Sequence, residues 1–230
     1  MLLVYSIRNT LLLRTNAKRA AVMLLLSSSF ILSGCGIFNQ ETKPNDIIID
    51  VSNNVGWQTH QKALKQLTHY TTKGNFAYIA PDMRQSASFF WEQIDNDTYR
   101  LLLLNPLGQT VISMNVTAQQ SELIDDKGTS HLHSNPQQAI RDLAQMDIPI
   151  DNLRLWMLGL PGEATDLILN SNNLLEKATF IDPNTHAKWQ IKYLSYNTNM
   201  TPSLPSNLEI EQDINGESLR IKLKINSWNL

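Results

Sequence analysis

The chain has 230 residues, of which 42% are hydrophobic and 17% are charged, and its formal net charge is −2. A chain of this length can form one domain with a real core, and its excess of acidic residues argues against nucleic acid as a partner. The single cysteine excludes an internal disulfide, so the stability of the fold must come from packing.

The first 34 residues have the features of a bacterial lipoprotein signal peptide. Basic residues precede an apolar run from Ala20 to Leu32, and the sequence Leu-Ser-Gly-Cys then ends at Cys35. Small residues before the cysteine let a peptidase cleave on its N-terminal side, after which the thiol and the freed amine carry acyl chains. A transmembrane anchor and an ordinary secretory signal are the alternatives, but the run is shorter than the ~20 residues that cross a bilayer. We therefore predict a signal peptide over residues 1–34 and lipidation at Cys35.

Cleavage would leave 196 residues with a net charge of −6, because residues 1–34 carry four of the basic residues and none of the acidic ones. Residues 35–54 are polar and contain Pro44, which is typical of a flexible tether with a reach of roughly 25 Å. The residue after Cys35 is Gly36 and not the aspartate that retains Gram-negative lipoproteins at the inner membrane. The prediction is an outer-membrane anchor facing the periplasm, followed by one domain over residues 55–230.

The first part of this domain combines one helix with a series of short strands. Residues Trp57 to Tyr70 place apolar side chains at helical spacing, which predicts an amphipathic helix. The period then changes to two, and turn residues separate segments rich in aromatic and branched side chains. These segments predict an antiparallel meander of strands at Gly74 to Ala80, Gln85 to Gln93, Thr98 to Asn105, Thr110 to Thr117 and Ser121 to Asp125.

One turn in this meander presents an apolar side chain. Asn105, Pro106 and Gly108 suit the first, second and fourth positions of a β-turn, which leaves Leu107 at the tip of the hairpin. Single exposed apolar residues are common. The residue type alone therefore leaves a membrane contact, a protein contact and an incidental exposure as open alternatives.

Two helices interrupt the strands. Asn135 and Pro136 begin a helix that continues to Met146, and the apolar segment from Asn152 to Gly162 forms a second helix that glycine and proline stop. The two-residue period then resumes to the C-terminus. The domain is thus mainly β with about three helices. A total of about ten or eleven strands would curl into a barrel or half-barrel.

The sequence contains none of the motifs for a nucleophilic serine, a phosphate loop or a zinc protease. His131 and His133 share a strand face, but no third ligand is evident nearby, so no metal site is predicted. Aspartates in the predicted turns are interpreted as turn formers. We expect no catalytic residue, no enzymatic activity and no cofactor.

The strands carry more large apolar side chains than a sheet with one wet face needs. Either sheet and helix cover both faces, or one face lines a cavity for an apolar ligand. Met83, Met114, Met146 and Met157 are possible soft linings, although methionine is often ordinary core. The candidate cavity residues are Phe89, Phe90, Trp91, Leu101, Leu103, Met114 and Trp156.

Several strings in the domain resemble the LolB family of outer-membrane lipoproteins. They are FAYI, FFW, YRLLLLNPLG, IPIDNLRLWMLGLPGEATD and RIKLKINSW, and they occur in order from about Trp57 to Trp228. The resemblance implies an incomplete antiparallel β-barrel, LolA/LolB-like, that is capped by helices and encloses an apolar cavity for acyl chains.

The resemblance also implies which partners the protein has and how it delivers its cargo to the membrane. They are a LolA-like periplasmic carrier, acylated lipoprotein cargo and outer-membrane lipid. The residues Pro106, Leu107 and Gly108 would form a membrane-insertion loop, and a monomer is expected. The resemblance thus favours lipoprotein transfer. The alternative is a structural or assembly lipoprotein whose exposed apolar residues contact other proteins, whereas no nucleophile and base support a hydrolase.

Overall fold

Eleven strands lie in one antiparallel sheet in the computed structural model, which describes residues 51–214 and 216–230. Three α-helices accompany the strands in this part of the chain. The elements are α1 (Val55–Leu64), β1 (Tyr70–Ile79), β2 (Arg84–Gln93), β3 (Tyr99–Leu104), β4 (Thr110–Val116), β5 (Ser121–Ile124), β6 (Ser130–His133), α2 (Pro136–Ala144), α3 (Ile150–Leu158), β7 (Thr165–Leu169), β8 (Leu175–Ile181), β9 (Lys188–Asn197), β10 (Leu204–Ile214) and β11 (Glu217–Asn229).

The sheet consists of two meanders joined by one long-range pairing. Its order is β6-β5-β4-β3-β2-β1-β11-β10-β9-β8-β7, so each strand pairs with its neighbour in sequence except where β1 meets β11. Within the described residues β6 and β7 are the two edges and do not pair with each other. The sheet is therefore open, and the predicted incomplete barrel with helices is confirmed.

The inner face of the sheet holds the core because residues alternate between the two faces of a strand. In β3, for example, Tyr99, Leu101 and Leu103 are buried, whereas Arg100 is exposed. The helices α2 and α3 follow the edge strand β6 in the chain and contact each other, and α2 contacts β5 and β6 while α3 contacts β10. The two helices consequently lie against the sheet and cover part of its apolar face.

The boundaries of α1 differ from those predicted. The helix begins at Val55 because the Asn54 side chain caps it, accepting a hydrogen bond of 2.7 Å from the Trp57 amide. It ends at Leu64, whereas the prediction continued it to Tyr70. Tyr70 instead starts β1 opposite Gln93, because pairing with a neighbouring strand outweighs a weak helical period.

The helix α3 is shifted towards the N-terminus relative to the prediction. It spans Ile150–Leu158, and Gly159 follows with a φ of 84°, which ends the helix in the left-handed conformation that glycine accepts at no steric cost. The helix α2 begins as predicted, with Asn135 as its cap and Pro136 in its first turn.

The end of the predicted tether lies against the domain. Val51–Asn53 form a 3₁₀ turn, and the Asn54 side-chain amide donates a 2.8 Å hydrogen bond to Asn173. The predicted signal peptide over residues 1–34, the lipidation site Cys35 and the tether up to residue 50 lie outside the described residues. None of the described helices is both long enough and apolar enough to cross a bilayer.

A substitution of Gly74, at the junction of the two meanders, tests how closely β1 and β11 pack. The β1–β11 register shifts between Lys73 and Gly74, and a Cβ at Gly74 would overlap the Lys224 carbonyl oxygen and lie 2.6 Å from Phe89 Cε1. We expect Gly74→Ala to lower the free energy of unfolding by about 1–3 kcal/mol in a urea titration. The exposed neighbour Ser86 serves as control, since Ser86→Ala should change it by less than about 0.5 kcal/mol. Equal effects of both changes would contradict the close approach.

Candidate functional site

An apolar cavity lies between the inner face of the sheet and the two helices α2 and α3. The volume of this cavity that water molecules could enter is about 30 Å³. This is room for roughly two waters. Every lining residue is apolar, so nothing in the wall would hold such waters. The lining consists of Phe76, Phe89, Trp91, Leu101, Leu103, Ile112, Met114, Ile140, Met146, Ile148, Ile150, Leu153, Met157 and Leu223.

Most of the residues that the sequence suggested for a cavity line this one. Phe89 and Trp91 reach it from β2, Leu101 and Leu103 from β3, and Met114 from β4. These side chains share the inner face because each pair is separated by two residues and because Leu101 stands opposite both Trp91 and Met114 in the ladders. Of the four suggested methionines, Met114, Met146 and Met157 line the cavity, whereas Met83 lies at the β1–β2 turn.

Two of the suggested residues lie elsewhere. Phe90 is between Phe89 and Trp91 in the strand and therefore points to the outer face, where the Lys73 ammonium lies 5.5 Å from its ring centroid. Trp156 is fully buried on another side of α3, where its indole N–H donates a 3.0 Å hydrogen bond to the Pro161 carbonyl. Its ring packs edge-on against Phe180 at 5.5 Å, so it anchors α3 to the core.

Apart from Met146 and Met157, sequence reasoning missed the helical part of the wall. Ile140 of α2, Ile148 of the connecting segment and Ile150 and Leu153 of α3 all line the cavity. Their only sequence signal is the apolar Ile148-Pro149-Ile150 segment followed by helical spacing to Leu153. This pattern is the same for ordinary core, so it could not by itself indicate a cavity.

The segment between α2 and α3, residues 145–149, covers one side of the cavity. The Asp147 amide donates a 3.2 Å hydrogen bond to the Tyr78 hydroxyl oxygen of β1. Arg141 of α2 donates to the Asp147 carboxylate at 2.6 Å. Burial raises the pKa of the Tyr78 phenol and the amide of Asp147 opposes that rise, so the phenol stays neutral at physiological pH. We call these contacts of Tyr78, Arg141 and Asp147 the latch.

The middle of α3 is held separately from the segment 145–149. Arg154 donates a hydrogen bond to the Asn96 carbonyl in the β2–β3 turn, at the end of β3 that is opposite the Leu107 hairpin. Together with the packing of Trp156 against Phe180, this contact fixes the middle and the C-terminal part of α3 to the body of the domain. The latch therefore holds the segment 145–149, whereas the Arg154 contact holds α3 at a different place.

A larger recess of about 480 Å³ adjoins the cavity and opens near the Leu107 hairpin. The two spaces share Phe76, Leu103, Ile112 and Met146 as a common wall. The rim of the recess is polar and includes Asn105, Pro106, Asp125 and Asp126 among its residues. It is the natural mouth of the cavity, because only apolar side chains separate it from the interior.

The carboxylate at this mouth is held in its charged form. Hydrogen bonds from the backbone, the largest from the Thr129 amide at 2.8 Å, lower the pKa of Asp125. His131 lies 3.4 Å from the Asp125 carboxylate and His133 lies 3.9 Å from that of Asp142. Across the described residues no group of three histidine, cysteine, aspartate or glutamate side chains is placed to bind a metal.

The hairpin between β3 and β4 has the turn chemistry that its sequence predicts. The Asn105 side chain accepts hydrogen bonds of 3.0 Å from the amides of Leu107 and Gln109, and Gly108 adopts a φ of 80°. Leu107 is 84% exposed, the largest value among the exposed large apolar residues of the described chain. A well-determined turn thus presents this leucine to its surroundings beside the mouth.

Comparison with solved structures identifies the architecture. A LolA superfamily protein from Nitrosomonas europaea aligns with a TM-score of 0.51 at 11% identity, covering 77% of this chain and 94% of that one. A DUF1329 family protein from Desulfovibrio piger aligns with a TM-score of 0.52 at 8% identity, covering 76% and 91%. At such low identity these matches concern the fold alone, which this chain shares with both proteins.

Comparison of sequences identifies the family. The profile described as "Outer membrane lipoprotein LolB" matches residues 68–228. The outer-membrane lipoprotein LolB of Erwinia tasmaniensis is 38% identical over 94% of this chain and 99% of its own length. That of Pectobacterium atrosepticum is 40% identical over 89% of this chain and 94% of its own length. The chain belongs to the LolB family of outer-membrane lipoproteins.

Two neighbouring phenylalanines provide a test of the cavity wall. Phe89 is 4% exposed and lines the cavity, whereas Phe90 is half-buried on the outer face. We expect Phe89→Ala to lower the free energy of unfolding by about 3–5 kcal/mol and Phe90→Ala by about 1 kcal/mol. Urea unfolding followed by fluorescence measures both. Similar losses for the two variants would contradict the assignment of faces.

Proposed function

We propose that this protein is anchored to the outer membrane through acyl chains on Cys35, faces the periplasm and receives lipoproteins from a LolA-like carrier. It shields the acyl chains of the cargo in the apolar cavity and inserts them into the inner leaflet of the outer membrane. The observation that carries the proposal is the position of Leu107, held by a well-determined turn at the mouth of an entirely apolar cavity.

The need for a shielded path follows from the energetics of acyl chains. Burial of a chain contributes about 0.8 kcal/mol per methylene, so about three chains of about 15 carbons expose on the order of 30 kcal/mol of unfavourable surface in water. No nucleotide-binding motif occurs in the sequence. Transfer therefore runs downhill, from a weaker carrier cavity to this one and then to the bilayer.

The cavity has to open before it can hold such chains. Its present free volume of about 30 Å³ fits no acyl chain, and the segment 145–149 lies over it. In the proposed mechanism the latch releases, the start of α3 moves away from the sheet, and the recess at the mouth joins the interior. The contact of Arg154 with Asn96 and the packing of Trp156 on Phe180 keep the rest of α3 in place.

The charge at the mouth supports an encounter with a basic surface. Asp125 and Asp126 rim the recess, and the lowered pKa of Asp125 maintains its negative charge. Complementary charges speed the encounter of two proteins and orient them. We propose that a basic rim on the carrier meets this mouth, so that the two cavities face each other during transfer.

The role of Leu107 is tested by separating acceptance from insertion. We expect Leu107→Glu to accept cargo from the carrier normally but to insert it into liposomes at a rate lower by roughly tenfold or more, because the bilayer contact loses apolar surface and gains a charge. Co-purification of cargo measures acceptance, and flotation with liposomes measures insertion.

Leu194 provides the matched control. It is 61% exposed on β9, away from the hairpin, and Leu194→Glu should leave both steps unchanged. Normal insertion by the Leu107→Glu variant would contradict the proposed mechanism. Normal insertion combined with the loss of a protein partner would favour the alternative of an assembly lipoprotein.

The latch provides a second test, with a fluorescent apolar probe. We expect the double variant Tyr78→Phe and Arg141→Ala to take up the probe about fivefold faster or more, since each of the two lost hydrogen bonds stabilised the closed form by about 0.5–1.5 kcal/mol. Stopped-flow fluorescence measures the rate. The control removes comparable contacts in the second meander, namely the Tyr196 hydrogen bond to Leu175 and the Lys192 ion pair with Glu211. Equal uptake rates for the two double variants would place the entrance elsewhere.

A further inference from the structure

The outer face of the sheet carries an apolar stripe next to the Leu107 hairpin. Phe90 of β2 stands opposite Leu102 of β3, and Leu104 lies two residues further along β3 towards the turn. All three side chains point away from the cavity and are half-buried. They line a shallow groove of about 420 Å³, which also includes Lys73, Asn75 and Ser88. We call Phe90, Leu102 and Leu104 the outer stripe.

Cations flank the outer stripe. The Lys73 ammonium lies 5.5 Å from the centre of the Phe90 ring, and Arg100 shares the outer face of β3 with Leu102. Lys224 stands opposite Asn75 on β11, in the row of the sheet that continues through Ser88 to Leu104. Among the ion pairs of the described residues none involves these three cations, although Glu92 stands opposite Arg100 in the ladder.

The cations beside the outer stripe stand out only against the acidic balance of the chain as a whole. After removal of residues 1–34 the net charge is −6, yet three cations that form no ion pair within the described residues lie on the same face as one apolar stripe. Long basic side chains beside apolar surface are suited to a lipid interface, where the stems contact the acyl boundary and the heads reach the phosphates. Protein interfaces are instead depleted of lysine at their centre.

We infer that the outer stripe and its three cations form a second membrane-contact surface, which lies on the phosphate groups of the bilayer beside the Leu107 hairpin. The surface is continuous with the hairpin, because Leu104 directly precedes Asn105 and a strand rises about 3.3 Å per residue. Leu107 and the outer stripe then contact the same lipid surface, and the domain rests along β3. The inference uses the proposed function only for the attachment of the chain to a membrane.

The test measures the depth of single labels on the lipid-anchored protein in vesicles. Cys35 is the only cysteine and carries the proposed anchor, so in the variant Ser88→Cys a fluorescent label reacts at position 88 alone. Ser88 is exposed in the groove, opposite Leu104. Vesicles of phosphatidylethanolamine and phosphatidylglycerol should quench this label when they contain a lipid-borne quencher. A label at the exposed residue Gln190 of β9 should not be quenched.

The cations are tested by neutralisation. Lys73→Gln, Arg100→Gln and Lys224→Gln should each lower the equilibrium constant for the quenched state by roughly fivefold at low ionic strength. Combined replacement by glutamine of Lys62, Lys65 and Lys188, which are exposed away from the outer stripe, should leave the quenching unchanged. Vesicles without phosphatidylglycerol should quench the Ser88 label less.

Three outcomes would overturn the inference. They are an unquenched Ser88 label, equal effects of the two sets of replacements, and protection of the label by added carrier protein in place of lipid. None of these affects the transfer test. A protein that inserts cargo in a Leu107-dependent way but shows no quenching at Ser88 would keep the proposed function and lose only this second surface.

Discussion

The pairing of β1 with β11 is the contact on which the rest of the domain depends, because it joins two meanders that would otherwise be separate sheets. It connects residues at opposite ends of the domain, as the hydrogen bond from the Thr72 hydroxyl to the Ser227 carbonyl illustrates. The close approach at Gly74 sets its register. Through this pairing Leu223 of β11 reaches the cavity that the first meander mostly builds.

The closed state of the cavity is what physical chemistry favours for a protein without cargo. An empty apolar space costs about 24 cal/mol per Å³, so a cavity of several hundred Å³ would cost on the order of 10 kcal/mol. That is comparable to the whole stability of a typical domain. In the proposed mechanism the hydrogen bonds of the latch then suffice to hold the segment 145–149 closed, and the acyl chains of the cargo would supply the apolar surface that stabilises the open form.

The accuracy of the sequence-based predictions depended on the range of the forces involved. Phe89, Phe90 and Trp91 are three consecutive aromatic residues, and the residues of a strand face its two sides in turn. The sequence does not show which of the two sides faces the interior. The predicted cavity wall therefore includes Phe90 together with its two neighbours. Trp156 is a cavity candidate in the sequence, whereas the orientation of α3 against Phe180 decides where its side chain points. The helix α1 was extended to Tyr70 because its strand partner lies more than 20 residues away.

The amino-acid sequence by itself determined the local chemistry of this protein: the lipoprotein motif at Cys35, the turn that presents Leu107, the caps of the helices and the strand periods. These depend on residues within a few positions of one another. Only the tertiary structure decided which apolar residues meet in the cavity, that the cavity is closed, and that the latch and the mouth lie where they do. Those features depend on contacts between segments that are distant in the sequence. A local pattern of residues does not show which distant segments will meet.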